Sequence, residues 1–394
     1  MNSSRRNRPV DQAGYGWIAT SASDGSMLFA LQILTLVFAA LVAAVTLLPL
    51  STSRRWWVRI WDFPRLHLAG ACALLLPLAL LLERPLSWIV GAGALAGLAW
   101  QLSWIWPFTP FARAEVRLAS DAPDGVTLLA VNVLQENTQH DRVLRLIEQV
   151  DPDVLLLMET DPRWIDALAP ALAAYPTVVC DPREDFYSMT FATRLPTTEA
   201  RIMRLTHDET PTLFAELKAR NGQEFVYVGL HPQPPTPDGA DTDERDAQIA
   251  YSARFARRED RPLVAMGDFN EAAWSLSAQE FRRVGGYVDP RRGRGFFSSF
   301  HAEHPMIRAP IDQVYVTADV AVVGIALGPR VGSDHFPLIA RLRFEPELAA
   351  QLNRPPKPLD PGEITRIDEV VEAYRTRLAK AHMEMEADRS TSST

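Results

Sequence analysis

At 394 residues the chain exceeds the usual size of one compact domain, and its composition changes near residue 107: before that point there is no Lys, and the only acids are Asp11, Asp24, Asp62 and Glu83. The net charge of −8 leaves no globally basic face of the kind that grips long nucleic acid. Two lone cysteines, Cys72 and Cys180, exclude a disulfide framework and a thiolate metal site.

Residues 1–26 carry no periodic pattern and are expected to be unstructured. Met27–Leu50 is an apolar run of about 24 residues, long enough to cross a hydrocarbon core as a helix. Leu66–Leu82 lies near the lower limit of length, and Pro85–Trp106 forms a third run. Trp56, Trp57, Trp61, Trp88, Trp100, Trp104 and Trp106 crowd the ends of the runs as interfacial belts do, so three transmembrane helices are expected over residues 27–106. Gly93 and Gly97 form a GxxxG face on the third. Arg5, Arg6 and Arg8 favour a cytoplasmic N-terminus, whereas Arg54, Arg55, Arg59 and Arg65 in the first loop argue the reverse, unless residues 54–67 lie flat among headgroups.

After a linker over 107–124, strand-like runs alternate with amphipathic stretches over 125–345. TLLAVNV, HDRVLRLIEQV and DVLLLME open a βαβ unit. FYSMTFAT, ARIMRL, PTLFAELKA, EFVYVGL, PLVAMGDF, IDQVYVT, VAVVGIALG and PLIARLRF follow with few helices between them, which predicts an α/β fold of two mixed sheets with helices outside.

Polar outliers stand at the ends of these runs, where open sheets carry their sites. Asn132 ends the first and Glu159 the second; His231 follows EFVYVGL; Asp268 and Asn270 lie two apart in GDFN; Asp312 starts a buried strand and needs a partner; Asp334 and His335 share SDHFPL. Each has a plain alternative as a cap, turn or packed residue. Together they supply hard oxygen donors that suit Mg²⁺ or Mn²⁺, a carboxylate to orient water and a His that stays protonated beside Asp312.

The order Asn132, Glu159, His231, GDFN, Asp312, SDHFP resembles the endonuclease/exonuclease/phosphatase superfamily over roughly residues 125–345. The resemblance implies a four-layered α/β sandwich preceded here by transmembrane helices. It implies Asn132, Glu159 and Asp334 at one or two Mg²⁺ or Mn²⁺ ions, Asp268 aligning the attacking water, and Asn270 and His231 on the phosphate, with Asp312 as partner of the catalytic His335. Membrane spans before such a domain resemble a bacterial branch that includes glycopeptide-resistance-associated lipid pyrophosphate phosphatases. That branch implies a cytoplasmic-membrane protein whose catalytic domain faces outside.

Tethering favours a phosphate-containing membrane lipid as substrate. Arg291, Arg292 and Arg294, with Arg282, Arg283, Phe296, Phe297 and Phe300, form a basic and aromatic loop that could hold a diphosphate, and Asn137 could face the phosphate or cap a helix. A metal-dependent nuclease and a catalytically silent membrane scaffold are the alternatives. Residues 346–394 comprise a Pro-rich linker, a helix capped by Asp360 and Glu363 with Ile364, Ile367, Val370, Val371, Tyr374 and Leu378 on one face, and a disordered tail.

Overall fold

The computed structural model describes residues 16–51, 53–205, 210–237, 242–365, 367–369, 371–373 and 375–376. It divides into two units: one holds the chain up to Ser51 together with Arg65–Ser103, the other Thr52–Pro64 and everything from Trp104 onward.

The first unit contains helices α1 (Gly16–Leu47), α3 (Arg65–Ala79) and α4 (Leu86–Ile105). Helix α1 starts inside the stretch expected to be unstructured; residues 1–15 lie outside the described residues. Among the described residues two helices are long and apolar enough to cross a membrane, Gly25–Leu50 and Leu86–Phe108, while Arg65–Ala79 is shorter than the expected second span. Polar groups pair across the helices: half-buried Gln32 Nε2 donates to Leu81 O at 2.8 Å, and buried Gln101 stands between Arg65 (3.3 Å) and Thr46 (3.4 Å). Of the GxxxG pair, Gly97 is the close contact, since a Cβ there would lie 2.9 Å from Cys72 Sγ; Gly93 has nothing within 4 Å.

The second unit is the expected sandwich. One sheet runs β11-β12-β1-β2-β4-β3 and the other β5-β6-β7-β8-β10-β9. The first comprises β1 (Val126–Asn132), β2 (Val154–Met158), β3 (Thr177–Asp181), β4 (Met189–Thr193), β11 (Ala321–Leu327) and β12 (Leu338–Arg343). The second comprises β5 (Thr197–Arg204), β6 (Pro211–Lys218), β7 (Glu224–Leu230), β8 (Leu263–Asp268), β9 (Tyr287–Val288) and β10 (Asp312–Thr317). Side chains alternate along each strand, so Leu128, Ala130, Leu156, Tyr227, Val264, Met266 and Val314 meet between the sheets. Leu129, Val131 and Leu157 instead pack on α5 (His140–Val150) and α6 (Pro162–Leu172), and Val226, Val228 and Ala265 on α7 (Asp243–Arg258) and α8 (Leu276–Val284). Helix α7 has no apolar stripe to betray it in the sequence, because its buried face includes Arg245, Gln248 and Ser252.

Residues 53–64 belong to this unit, folded as one helical turn, α2 (Trp56–Arg59), and a 3₁₀ turn at Ile60–Asp62. After α9 (Pro346–Leu352), residues 361–365, 367–369, 371–373 and 375–376 are helical. The expected cap forms reciprocally: Asp360 N–H donates to Glu363 Oε2 at 3.0 Å and Glu363 N–H to Asp360 Oδ1 at 2.9 Å. Leu359 and Ile367 pack with the α7 cluster, and Val371 is buried; Val370, Tyr374 and Leu378 of the expected face lie outside the described residues.

Candidate active site

The period of two that places Ala130, Tyr227, Met266 and Val314 between the sheets carries Asn132, His231, Asp268 and Asp312 to the same inner face. Strands β1 and β2 are parallel, as are β7 and β8, so their C-terminal ends coincide. Antiparallel β10 pairs Asp312 with Asp268, and β12 starts three residues after His335, so both arrive at that same end. Glu159, one residue beyond β2, would face outward by alternation; its left-handed backbone, φ +64°, turns it back. Gly267 has the same kind of necessity: at φ +147° a Cβ would lie 2.1 Å from Leu230 O, which is why Gly precedes Asp268.

The side chains converge across the sandwich. Asn132 Nδ2 donates to Glu159 Oε1 at 2.7 Å and to Asp268 Oδ2 at 3.2 Å, and Gln135 N–H donates to Glu159 Oε2 at 3.1 Å. Asp268 Oδ1 accepts Asn270 N–H at 2.8 Å, while Asn270 Nδ2 donates to Pro232 O at 2.9 Å beside His231. His335 Nδ1 lies 2.8 Å from Asp312 Oδ2 and its Nε2 3.6 Å from Asp268 Oδ2. His231 Nε2 stands 3.9 Å from Glu159 and 4.0 Å from Asp268. All are buried except Gln135, Glu159 and Asn270, which are half-buried.

Burial and charge drive the groups apart electrostatically. Burial pushes Glu159 up to about 7 against the Asn132 and Gln135 hydrogen bonds. Burial also raises Asp268, with Asp312 beside it and His335 opposing. Burial drops His231 to about 4, so it is neutral. Burial alone would lower His335 too, but Asp312, Asp268 and Asp334 push it up to about 10, so it is a cation at neutral pH. One imidazole is thus a standing acid and the other a neutral group.

A divalent ion fits this donor set on its chemistry: Glu159 and Asp268 are hard oxygen donors, and no Arg or Lys pairs with either among the described residues. Asp268, Asp312 and His335 also hold ligand atoms within 4.8 Å of one another. A protonated His335 already joined to Asp312 is a poor metal ligand, so this trio fits proton handling better and Glu159 with Asn132 fits the ion.

Other expected site residues lie elsewhere in purpose. Asp334 sits half-buried against Ser333 Oγ at 3.4 Å and acts on the charge of His335. Asn137 spends its amide on Val133 O (3.0 Å) and Val331 O (3.2 Å) and its oxygen on Gln139 N–H (2.9 Å), so it staples two loops and has no donor left for a phosphate. Arg291 is wholly buried, forked onto Asp289 at 2.8 and 2.7 Å; Arg292 meets Glu115 at 3.0 Å, and Arg294 donates to Pro290 O at 2.8 Å. Arg282 and Arg283 pair with Glu115 and Glu363 at 2.5 and 2.6 Å. Each of these guanidiniums is matched within the fold, Arg294 by carbonyls alone, which favours a structural role for the basic loop over a diphosphate clamp.

Sequence reasoning missed Gln135, which also takes Phe186 N–H on its side-chain oxygen at 3.0 Å, and Arg245, buried against Glu271 at 2.6 Å. The available signal for Arg245 was its place, four residues before Ile249, on the face where Ala253 and Ala256 also lie.

Residues 129–335 match the profile of the Endonuclease/Exonuclease/phosphatase family. No curated protein matches the chain. Similar solved structures include D. rerio TDP2 complexed with single strand DNA product (15% identity, TM-score 0.47, covering 56% of this chain and 99% of that one). The human Nocturnin catalytic domain with bound sulfate anion is similar at 16% identity and TM-score 0.46 (57% and 96%). An endonuclease/exonuclease/phosphatase from Bacteroides vulgatus is similar at 20% identity and TM-score 0.45 (56% and 99%).

Proposed function

Because the chain belongs to the endonuclease/exonuclease/phosphatase family, a family of metal-dependent phosphoester hydrolases, we propose that it is a membrane-anchored hydrolase of a lipid-linked phosphate ester or anhydride. The observation that carries the hydrolysis is the convergence of Asn132, Glu159, His231, Asp268 and the Asp312–His335 pair at one end of the sandwich.

Glu159 and Asn132 would hold Mg²⁺ or Mn²⁺, whose contribution when bound is to neutralise phosphate charge. Asp268, fixed by Asn270 N–H, orients the attacking water and takes its proton. The Nε2–H of cationic His335 donates to a phosphate oxygen as charge builds there, and Asp312 holds the ring by Nδ1. Neutral His231 offers Nε2 to a second phosphate oxygen, and Asn270 fixes the Pro232 carbonyl next to it.

Two observations support a lipid. The chain carries apolar helices of spanning length. Exposed apolar side chains also flank the site: Phe186, 42% exposed, on the loop that Gln135 holds, and Met306 and Ile307, 73% and 58% exposed, in the hairpin closed by Phe300 and Ala309. Phe300 itself lies 5.1 Å from the His335 ring.

Residues 53–64 fold with the catalytic unit, which supports an even number of crossings between them and Trp104. If α4 crosses, α3 crosses with it, and its shortness is met by local thinning of the bilayer. The expected three spans then stand, with the N-terminus opposite the catalytic domain; Arg5, Arg6 and Arg8 favour the cytoplasm for that end and the outer face for the domain.

The test is hydrolysis by detergent-solubilised protein of undecaprenyl pyrophosphate and a phosphoinositide, read as phosphate release, of sphingomyelin, read as phosphocholine release, and of supercoiled DNA, read as plasmid nicking, each with Mg²⁺ and with EDTA. Hydrolysis of a lipid that EDTA abolishes is the expected result. Turnover in EDTA overturns the metal dependence, and plasmid nicking with no lipid hydrolysed overturns the lipid assignment.

A further inference from the structure

The loop that leaves the catalytic strand, Phe269–Ser275, is gripped from behind by the short chain between the first two apolar helices. Trp274 is wholly buried, edge-on to Phe108 (6.1 Å) and Phe296 (5.8 Å), and its Nε1–H donates to the Asp62 carbonyl at 2.8 Å. A buried indole N–H needs such a partner, so Asp62 fixes where the ring sits.

The same short chain reaches α7. The Arg54 carbonyl accepts Thr242 N–H at 2.8 Å, and its side chain pairs with Asp243 at 2.8 Å, two residues before Arg245. Arg245 is 2% exposed; it holds Glu271 at 2.6 Å and donates to the carbonyl of Asn270 at 3.3 Å. Asp62 acts electrostatically on both Arg245 and Glu271. Glu271 is locked in turn by Ser277 Oγ at 2.6 Å, and its carbonyl takes Gln313 Nε2 at 2.5 Å. The Asn270–Trp274 backbone is therefore held on one side by residues 53–64 and the buried ion pair beside Asp62, and on the other by Gln313, the Pro310 carbonyl and Gln279.

We propose that residues 53–64 are a positioning element of the active site: through Asp62 on Trp274, and beside the Arg245–Glu271 pair, they set the backbone of Asn270 and with it the carboxylate of Asp268. The juxtamembrane chain and the catalytic loop then move as one body. The kinetic part of this claim rests on the phosphoesterase reading; the mechanical part does not.

The experiment uses the full-length protein in detergent with bis(p-nitrophenyl) phosphate and Mg²⁺ as probe. Trp274→Phe keeps a ring and removes the donor. The pair Arg245→Gln with Glu271→Gln removes both buried charges together, so neither is stranded. Phe255→Leu, on the outer face against Phe214, controls for general loss of stability. The expected result is a fall in kcat of about tenfold in Trp274→Phe and in the double variant, with unchanged kcat in Phe255→Leu. Amide hydrogen exchange should rise together in residues 53–64 and 268–275 of Trp274→Phe. Native kcat in both variants, or faster exchange confined to 274–276, overturns the proposal. If the parent protein hydrolyses no phosphoester at all, the functional reading fails, and the exchange data alone decide the linkage: a joint rise upholds it and independent behaviour overturns it.

Discussion

His335 stands between two carboxylates, bonded through Nδ1 to Asp312 at 2.8 Å and facing Asp268 through Nε2 at 3.6 Å. Adjacent strands bring Asp268 and Asp312 side by side, and the imidazolium between them offsets their repulsion. His335→Ala and Asp312→Asn should each lower kcat by about two orders of magnitude or more, and the double variant should lose little beyond the worse single one, because the pair acts as a unit. Steady-state kinetics on the four proteins checks this, and additive losses would break the pairing.

The same geometry predicts a pH limb. His335 is active as the cation and is held up to about 10, so activity that depends on its proton should persist through neutral pH and decline only as pH rises toward that value. Asp312→Asn removes the largest upward influence and should move the decline to lower pH. A pH–rate profile whose alkaline limb is unmoved in Asp312→Asn contradicts the assignment.

At the other carboxylate, burial puts Glu159 at about 7 before any ion binds. A proton then competes with the ion, so Mg²⁺ or Mn²⁺ affinity should weaken as pH falls through about 7, and binding should release protons. Calorimetry in two buffers of different ionisation enthalpy measures both. Affinity that is flat between about pH 6 and about pH 8 would remove Glu159 from the ion's ligands.

Arg291 should behave as a stability residue. Arg291→Ala leaves Asp289 buried without its partner, and a loss of about 3–5 kcal/mol is expected. Thermal unfolding reads the loss; KM of the remaining folded protein should stay at the parent value, whereas a phosphate-binding Arg would raise it.

Gly267→Ala places a methyl 2.1 Å from the Leu230 carbonyl, in a paired strand with no room to move. Destabilisation by more than about 3 kcal/mol is expected. Unfolding within about 1 kcal/mol of the parent would show that β8 relaxes where the packing says it does not.

The number of spans is open to labelling. In a background without Cys72 and Cys180, Glu83→Cys and Asp124→Cys should react with a membrane-impermeant maleimide from opposite faces of sealed vesicles. Reaction from one face would mean that α3 and α4 do not cross as a pair.

The sequence by itself determined the sandwich, since short apolar runs end in polar outliers wherever a strand ends at the site, and GDFN and SDHFP carry their spacing in local chemistry. It also determined the cap at Asp360 and Glu363, an interaction three residues long. It did not reveal α7, whose buried face is made of Arg245, Gln248 and Ser252, nor tell a phosphate-binding Arg from a buried one, because a guanidinium looks the same until its partner is placed. Asp289 lies only two residues from Arg291, but Glu115 for Arg292 and the Asn132–Asp268 contact across the sheets are long-range pairings. Only the tertiary structure decided these, because which charges meet depends on how two sheets are stacked and not on how far apart the residues lie along the chain.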